Sequence, residues 1–218
     1  MYIKRIFLAI MFVLLFSGYS LAYENGDVQY WNTNAVEWQA KKDWKASIEE
    51  EMRFGNNAGE FYYEHTDIGL TYSGIVKWLD VKASYRQIFK KDKKDWKYEN
   101  MPNLNGTVKF DLFNLKFSDR NRIEYRDIED KKDNWRYRNK VTVSLPKLTS
   151  FELQPYLADE IFVDLNKGIF NKNRLYAGTS FKLLKELKAE VFYLFESSEA
   201  ADKWSNINVI GTKLRLLF

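Results

Sequence analysis

Cysteine is absent from the 218 residues, which excludes a disulfide framework, a thiol nucleophile, an iron–sulfur cluster and a lipid-modified N-terminal cysteine. Histidine occurs once, so no multi-histidine metal site can form and only one histidine base exists. Ten glycines and three prolines are too few for a collagenous or disordered chain, and a 17% aromatic share points to one folded domain. Lysine and arginine number 34 against 30 acidic residues, so no strong basic field marks a nucleic-acid partner. Neither a phosphate-binding glycine loop nor a metal-ligand spacing is present, and neither a metal nor a cofactor is expected. Beyond residue 22, charged residues interrupt every stretch, so no transmembrane helix is predicted there.

The one long apolar run lies at the start. Lys4 and Arg5 precede an apolar core at 6–16, followed by Ser17, Gly18 and the small-residue pattern Ser20-Leu21-Ala22, the layout of a cleavable secretory signal. That core is shorter than the roughly 18 residues a membrane helix needs. Residues 1–22 are therefore expected to be a signal peptide, and residues 23–218 a single domain.

What fills that domain is alternation with period two, which sends successive side chains to opposite faces of a strand. Trp135, Tyr137, Val141, Val143 and Leu145 share one face, and Arg136, Arg138, Lys140, Thr142 and Ser144 the other. Leu79, Val81, Ala83, Tyr85 and Phe89 likewise oppose Asp80, Lys82, Ser84 and Arg86. Alternating runs fall at about 28–39, 44–54, 60–72, 77–89, 96–112, 115–128, 135–145, 151–163, 174–183, 187–196 and 206–218. Short connections alternate with longer polar ones, as in an up-and-down meander.

A soluble sandwich also alternates, so the faces and the chain end must decide. Aromatic residues gather near strand ends (Trp44, Phe54, Tyr72, Trp96, Phe110, Trp135), where interfacial belts form on membrane barrels, and the opposite faces are charged. At the end of the chain Ile210, Thr212, Leu214, Leu216 and the terminal Phe218 alternate against Lys213 and Arg215. This resembles the closing-strand signal that the outer-membrane assembly machinery reads. The expected fold is thus all-β, an up-and-down antiparallel transmembrane β-barrel of ten to twelve strands in the bacterial outer membrane, in contact with its lipid. Because such barrels usually have an even number of strands, ten of the eleven runs satisfy the rule and 28–39 is left unplaced, unless a hidden split makes twelve.

The most distinctive stretch is Arg120, Arg122, Glu124 and Arg126, followed across a polar loop by Arg136, Arg138 and Lys140, all of interior parity. With Pro155-Tyr156, Glu160-Ile161-Phe162, Asn173-Arg174 and Gly178, it resembles an uncharacterised family of bacterial outer-membrane β-barrels carried under a domain-of-unknown-function label. That resemblance implies barrel and location and supplies no activity. A fainter likeness, resting on size and arginine placement, is to small monomeric channels for acidic oligosaccharides.

Two readings of the arginines follow. Arg120, Arg122, Arg126, Arg136 and Arg138 pair across the lumen with Glu49, Glu51, Glu124, Glu152 and Glu160, because an interior charge without a partner or water is expensive. That makes a non-conducting structural or partner-binding barrel. Alternatively Arg86, Arg120, Arg122, Arg126, Arg136, Arg138 and Arg174 line a narrow passive channel for small anionic solutes. A lipid hydrolase is the less favoured class: it would need His65, with Asp67 two residues on and Ser47 on the previous strand, and no His-x-Ser pair is present.

Overall fold

The computed structural model describes residues 25–92, 95–200 and 203–218, so the expected signal peptide at 1–22 lies outside the described residues. Eleven strands form one closed barrel: β1 (Asp27–Lys41), β2 (Trp44–Gly55), β3 (Glu60–Val76), β4 (Leu79–Asp92), β5 (Asp95–Leu112), β6 (Leu115–Ile128), β7 (Asn134–Ser144), β8 (Gln154–Asp164), β9 (Ile169–Lys182), β10 (Leu187–Ala200) and β11 (Lys203–Leu217). Each pairs antiparallel with the next in sequence.

The unplaced run at 28–39 is the closing strand. When an odd number of strands alternates in direction, the first and last run the same way, so closure here is parallel, from Asp27 opposite Ile207 to Glu37 opposite Leu217. The ladder continues through the terminal residue: the Phe218 N–H donates to the Glu37 carbonyl and the Gln39 N–H to the Phe218 carbonyl, each at 2.9 Å. The even-number expectation fails, and closure is still complete, leaving no unpaired edge among the described strands. Asp27 and Phe218 consequently mark opposite ends of the barrel.

The expected contrast between short turns and long loops is weaker than the polarity of the connections suggests. β4 and β5 pair out to Asp92 and Asp95, and β10 and β11 out to Ala200 and Lys203, because zipping a hairpin toward its tip satisfies backbone groups otherwise left to solvent. At the Phe218 end, Phe113 and Asn114 both take positive φ (51° and 63°) between paired Leu112 and Leu115, the geometry of a two-residue primed turn. β8 starts at Gln154 rather than Phe151, because 149–152 is a turn with positive φ at Thr149 and Glu152.

Parity sorts the side chains. Ile68, Leu104, Leu157 and Leu175 face outward and are exposed, whereas His65, Asp67, Arg86, Arg122, Arg138 and Arg174 face inward and are buried. Polar residues on the outer face bond chiefly to one another: Asn139 donates to Asp119 at 2.5 Å and Asn121 at 3.2 Å, Asn173 to Asp159 at 2.5 Å, Thr66 to Glu50 at 2.7 Å, and Asn32 to Thr212 at 3.0 Å.

Two apolar clusters fill part of the interior, Trp31 with Leu194 and Val209, and Tyr62 with Tyr63, Ile88 and Met101. Phe192 packs against the first cluster and lies between Gly178 and Gly211 on the neighbouring strands. A Cβ on Gly211 would sit 2.0 Å from the Phe192 ring, so the glycine is the space the ring occupies.

Candidate functional site

The barrel interior is the site, and its geometry follows from register. On β6 and β7, Glu124 lies opposite Arg136 and Arg122 opposite Arg138; on β7 and β8, Lys140 lies opposite Glu160; on β8 and β9, Glu160 lies opposite Arg174. The alternating arginine motif thus becomes a two-dimensional lattice of charge on the inner wall.

Two carboxylates organise it. Fully buried Glu124 accepts from Arg136 (2.5 Å), Arg138 (2.9 Å) and Arg122 (3.4 Å). Glu160, equally buried, accepts from Arg120 and Arg138 (2.7 Å each) and from the Tyr176 hydroxyl (2.9 Å), with Arg174 at 3.9 Å. Arg138 bridges the two. Like charges placed opposite each other, such as Arg122 and Arg138, are tolerated because one carboxylate serves both. Toward the Asp27 end the pairs are discrete: Arg174 and Lys172 on Glu196 (2.6 and 2.7 Å), Arg126 bidentate on Glu99 (2.6 and 2.8 Å), and Arg53 on Glu51 (2.6 Å).

Aromatic rings complete the charge setting. Arg138 and Arg174 lie over Phe162 at 4.4 and 4.9 Å, and Arg53 over Trp31 at 3.7 Å and Tyr63 at 4.1 Å. The negative ring faces stabilise guanidiniums where water is scarce.

All seven arginines assigned to the lumen face inward and have a carboxylate, although not always the one anticipated. Arg86 pairs with Asp67 at 3.1 Å, Arg126 with Glu99 and Arg174 with Glu196. Glu49 binds Lys213 at 2.5 Å and stands 3.8 Å from Arg86. Glu152 is a correction: it sits in the 149–152 turn outside the inner wall, bound to Lys147 (2.5 Å) with Lys182 at 3.8 Å. The hydrogen bond from the Lys147 ammonium holds its carboxyl below the ordinary range. Strand parity does not apply there, because the chain is not extended. The residues considered for hydrolysis are occupied separately: His65 meets the Tyr63 hydroxyl at 3.0 Å, Asp67 binds Lys82 and Arg86, and Ser47 donates to the Gly69 carbonyl at 3.5 Å.

The lattice encloses a cavity of about 540 Å³, whose walls carry fifteen lysines and arginines against eight carboxylates. A second cavity, of about 380 Å³, lies toward the Phe218 end, with Arg120, Lys140, Lys188, Lys213 and Arg215 against Glu190 alone.

A family model described as a protein of unknown function (DUF2490) matches residues 28–206, from β1 into β11. The chain belongs to that family. No curated protein and no solved structure matches it. In this DUF2490 member the matched region contains both organising glutamates and all seven arginines.

Sequence reasoning missed Glu99, Glu196 and the interior aromatics Trp31, Phe162 and Tyr176. Their parity was available: Phe162 is two residues from Glu160, and Glu196 shares a face with Glu190. The interior takes these rings because cationic side chains stack on them.

Proposed function

We propose that the protein is an integral outer-membrane β-barrel whose narrow lumen admits small anionic solutes. Support for the membrane setting comes from complete closure, which satisfies the backbone groups that lipid cannot, and from an exposed apolar outer face whose polar residues bond largely to each other. In that setting Phe218, bonded into the closing seam, is the assembly signal, and the assembly machinery and outer-membrane lipid are the partners.

The observation that carries the solute class is the charge imbalance of the 540 Å³ cavity: fifteen cations line it against eight carboxylates, and Glu124 and Glu37 behind the wall, which pair with five of those cations, still leave a cation surplus. Ion pairing consumes the carboxylates before it consumes the cations, so a positive field remains where interior screening is weak. Each of the seven guanidiniums is held by a carboxylate, and Arg136, Arg138 and Arg174 lie over the Phe162 ring as well, which makes the field a property of the wall rather than of mobile side chains. A non-conducting barrel is the second reading, favoured by one specific fact: every one of the seven arginines is engaged within 4 Å of a carboxylate.

Expression with the native leader, membrane fractionation and planar-bilayer recording test the proposal. Recovery in the outer membrane with discrete conductance supports it. Recovery as a soluble protein overturns the membrane setting, and correctly folded protein with no conductance favours the second reading.

A further inference from the structure

The 380 Å³ cavity toward the Phe218 end, which shares part of its wall, Lys140 included, with the larger cavity, holds two lysines that make no direct ion pair. Arg120, Lys213 and Arg215 reach Glu160, Glu49 and Glu37. Among the described residues, Lys140 and Lys188 have none within ion-pair distance; Lys140 rests its ammonium 3.5 Å over the Tyr176 ring. Lys188 stands in register between Lys182 on β9 and Arg215 on β11, a row of like charges in which the outer two reach Glu152 at 3.8 Å and Glu37 at 3.3 Å and Lys188 reaches no carboxylate directly. The one carboxylate lining the cavity, Glu190, accepts a hydrogen bond from the Tyr156 hydroxyl.

The remaining wall is hydroxyl and amide: Thr107, Ser118, Thr142, Ser144, Gln154 and Ser180. Neutral donors and acceptors of this kind orient a polyol without adding charge. The volume falls in the range of about 300–1,000 Å³ typical of small-molecule sites. Lys140 stands opposite Glu160 in register without reaching it, and two ammoniums free of a direct ion pair suit a dianion. Lysine serves phosphate as a compact point charge with three donors.

We propose that this cavity binds a small phosphate monoester of a polyol, with Lys140 and Lys188 neutralising the phosphate and the hydroxyl wall holding the polyol. The proposal deepens the anionic-solute reading by giving the solute a class and a resting place. The binding itself does not require conduction.

Isothermal titration of the refolded full-length protein in detergent, with glucose 6-phosphate, glucose and inorganic phosphate as probes, tests it. Glucose 6-phosphate should bind more tightly than either other probe, and Lys140→Gln and Lys188→Gln should each weaken it about tenfold. Lys97→Gln, on an exposed lysine near the opposite end, should leave it unchanged, and circular dichroism confirms that each variant is folded. Absence of binding, binding unaffected by both substitutions, or inorganic phosphate binding as tightly as the ester would overturn the proposal. Bilayer recording on the same preparation separates the two readings. Binding without conductance retains the site and rejects passage, while conductance without binding does the reverse.

Discussion

The two parts of the interior solve the problem of confined charge differently. Around Glu124 and Glu160, guanidiniums share buried carboxylates and stack on Phe162, so each charge is neutralised at short range. Toward the Phe218 end, Lys140 and Lys188 make no direct ion pair in a hydroxyl-lined space of about 380 Å³. Rigid paired arginine shapes the wall, and unpaired lysine leaves it something to bind. The chemistry of the two side chains suits this division: a planar fork fixes itself on a carboxylate, and an ammonium on a flexible stem adapts to a guest.

The contrast predicts graded responses to substitution. Glu124→Gln leaves Arg122, Arg136 and Arg138 without their shared carboxylate and should cost about 3–5 kcal/mol of folding free energy, measured by urea unfolding in detergent micelles. A loss no greater than that of an exposed surface substitution would mean that water, not Glu124, compensates these arginines. Gly211→Val drives a side chain into the Phe192 ring and should cost about 1–3 kcal/mol, with partial recovery on adding Phe192→Leu. Failure of the second substitution to recover stability would place the strain elsewhere. Lys188→Gln relieves repulsion from Lys182 and Arg215 and should stabilise the empty barrel by about 0.2–1 kcal/mol. Destabilisation there would mean that Lys188 is compensated after all and would erase the distinction between the two regions.

How much of this was legible beforehand follows from where period-two logic applies. Within strands it placed Arg120 through Lys140 on the inner wall by parity alone, because a pleated backbone leaves no other choice. It failed at Glu152, where 149–152 turns and parity lapses, whereas Phe162 and Trp31 go inward as their parity dictates although they are apolar. Closure was the other limit: that 28–39 is the seam depends on its alignment with β11, a contact between the two ends of the chain that no local pattern encodes. Pairing partners were half legible. Glu124 lies among its arginines in the motif and Glu160 in the separate Glu160-Ile161-Phe162 stretch, while Glu99 and Glu196 come from strands whose charge pattern is less conspicuous.

Reversal potential across a bilayer under a potassium chloride gradient tests the central claim, that the wall's surplus of cations gives the lumen an anion-favouring field. The account predicts chloride permeating more readily than potassium in the native barrel, and a shift toward potassium in the folded Lys140→Glu, Lys188→Glu double variant. Cation preference in the native protein, or a reversal potential unmoved by reversing both charges, would contradict it.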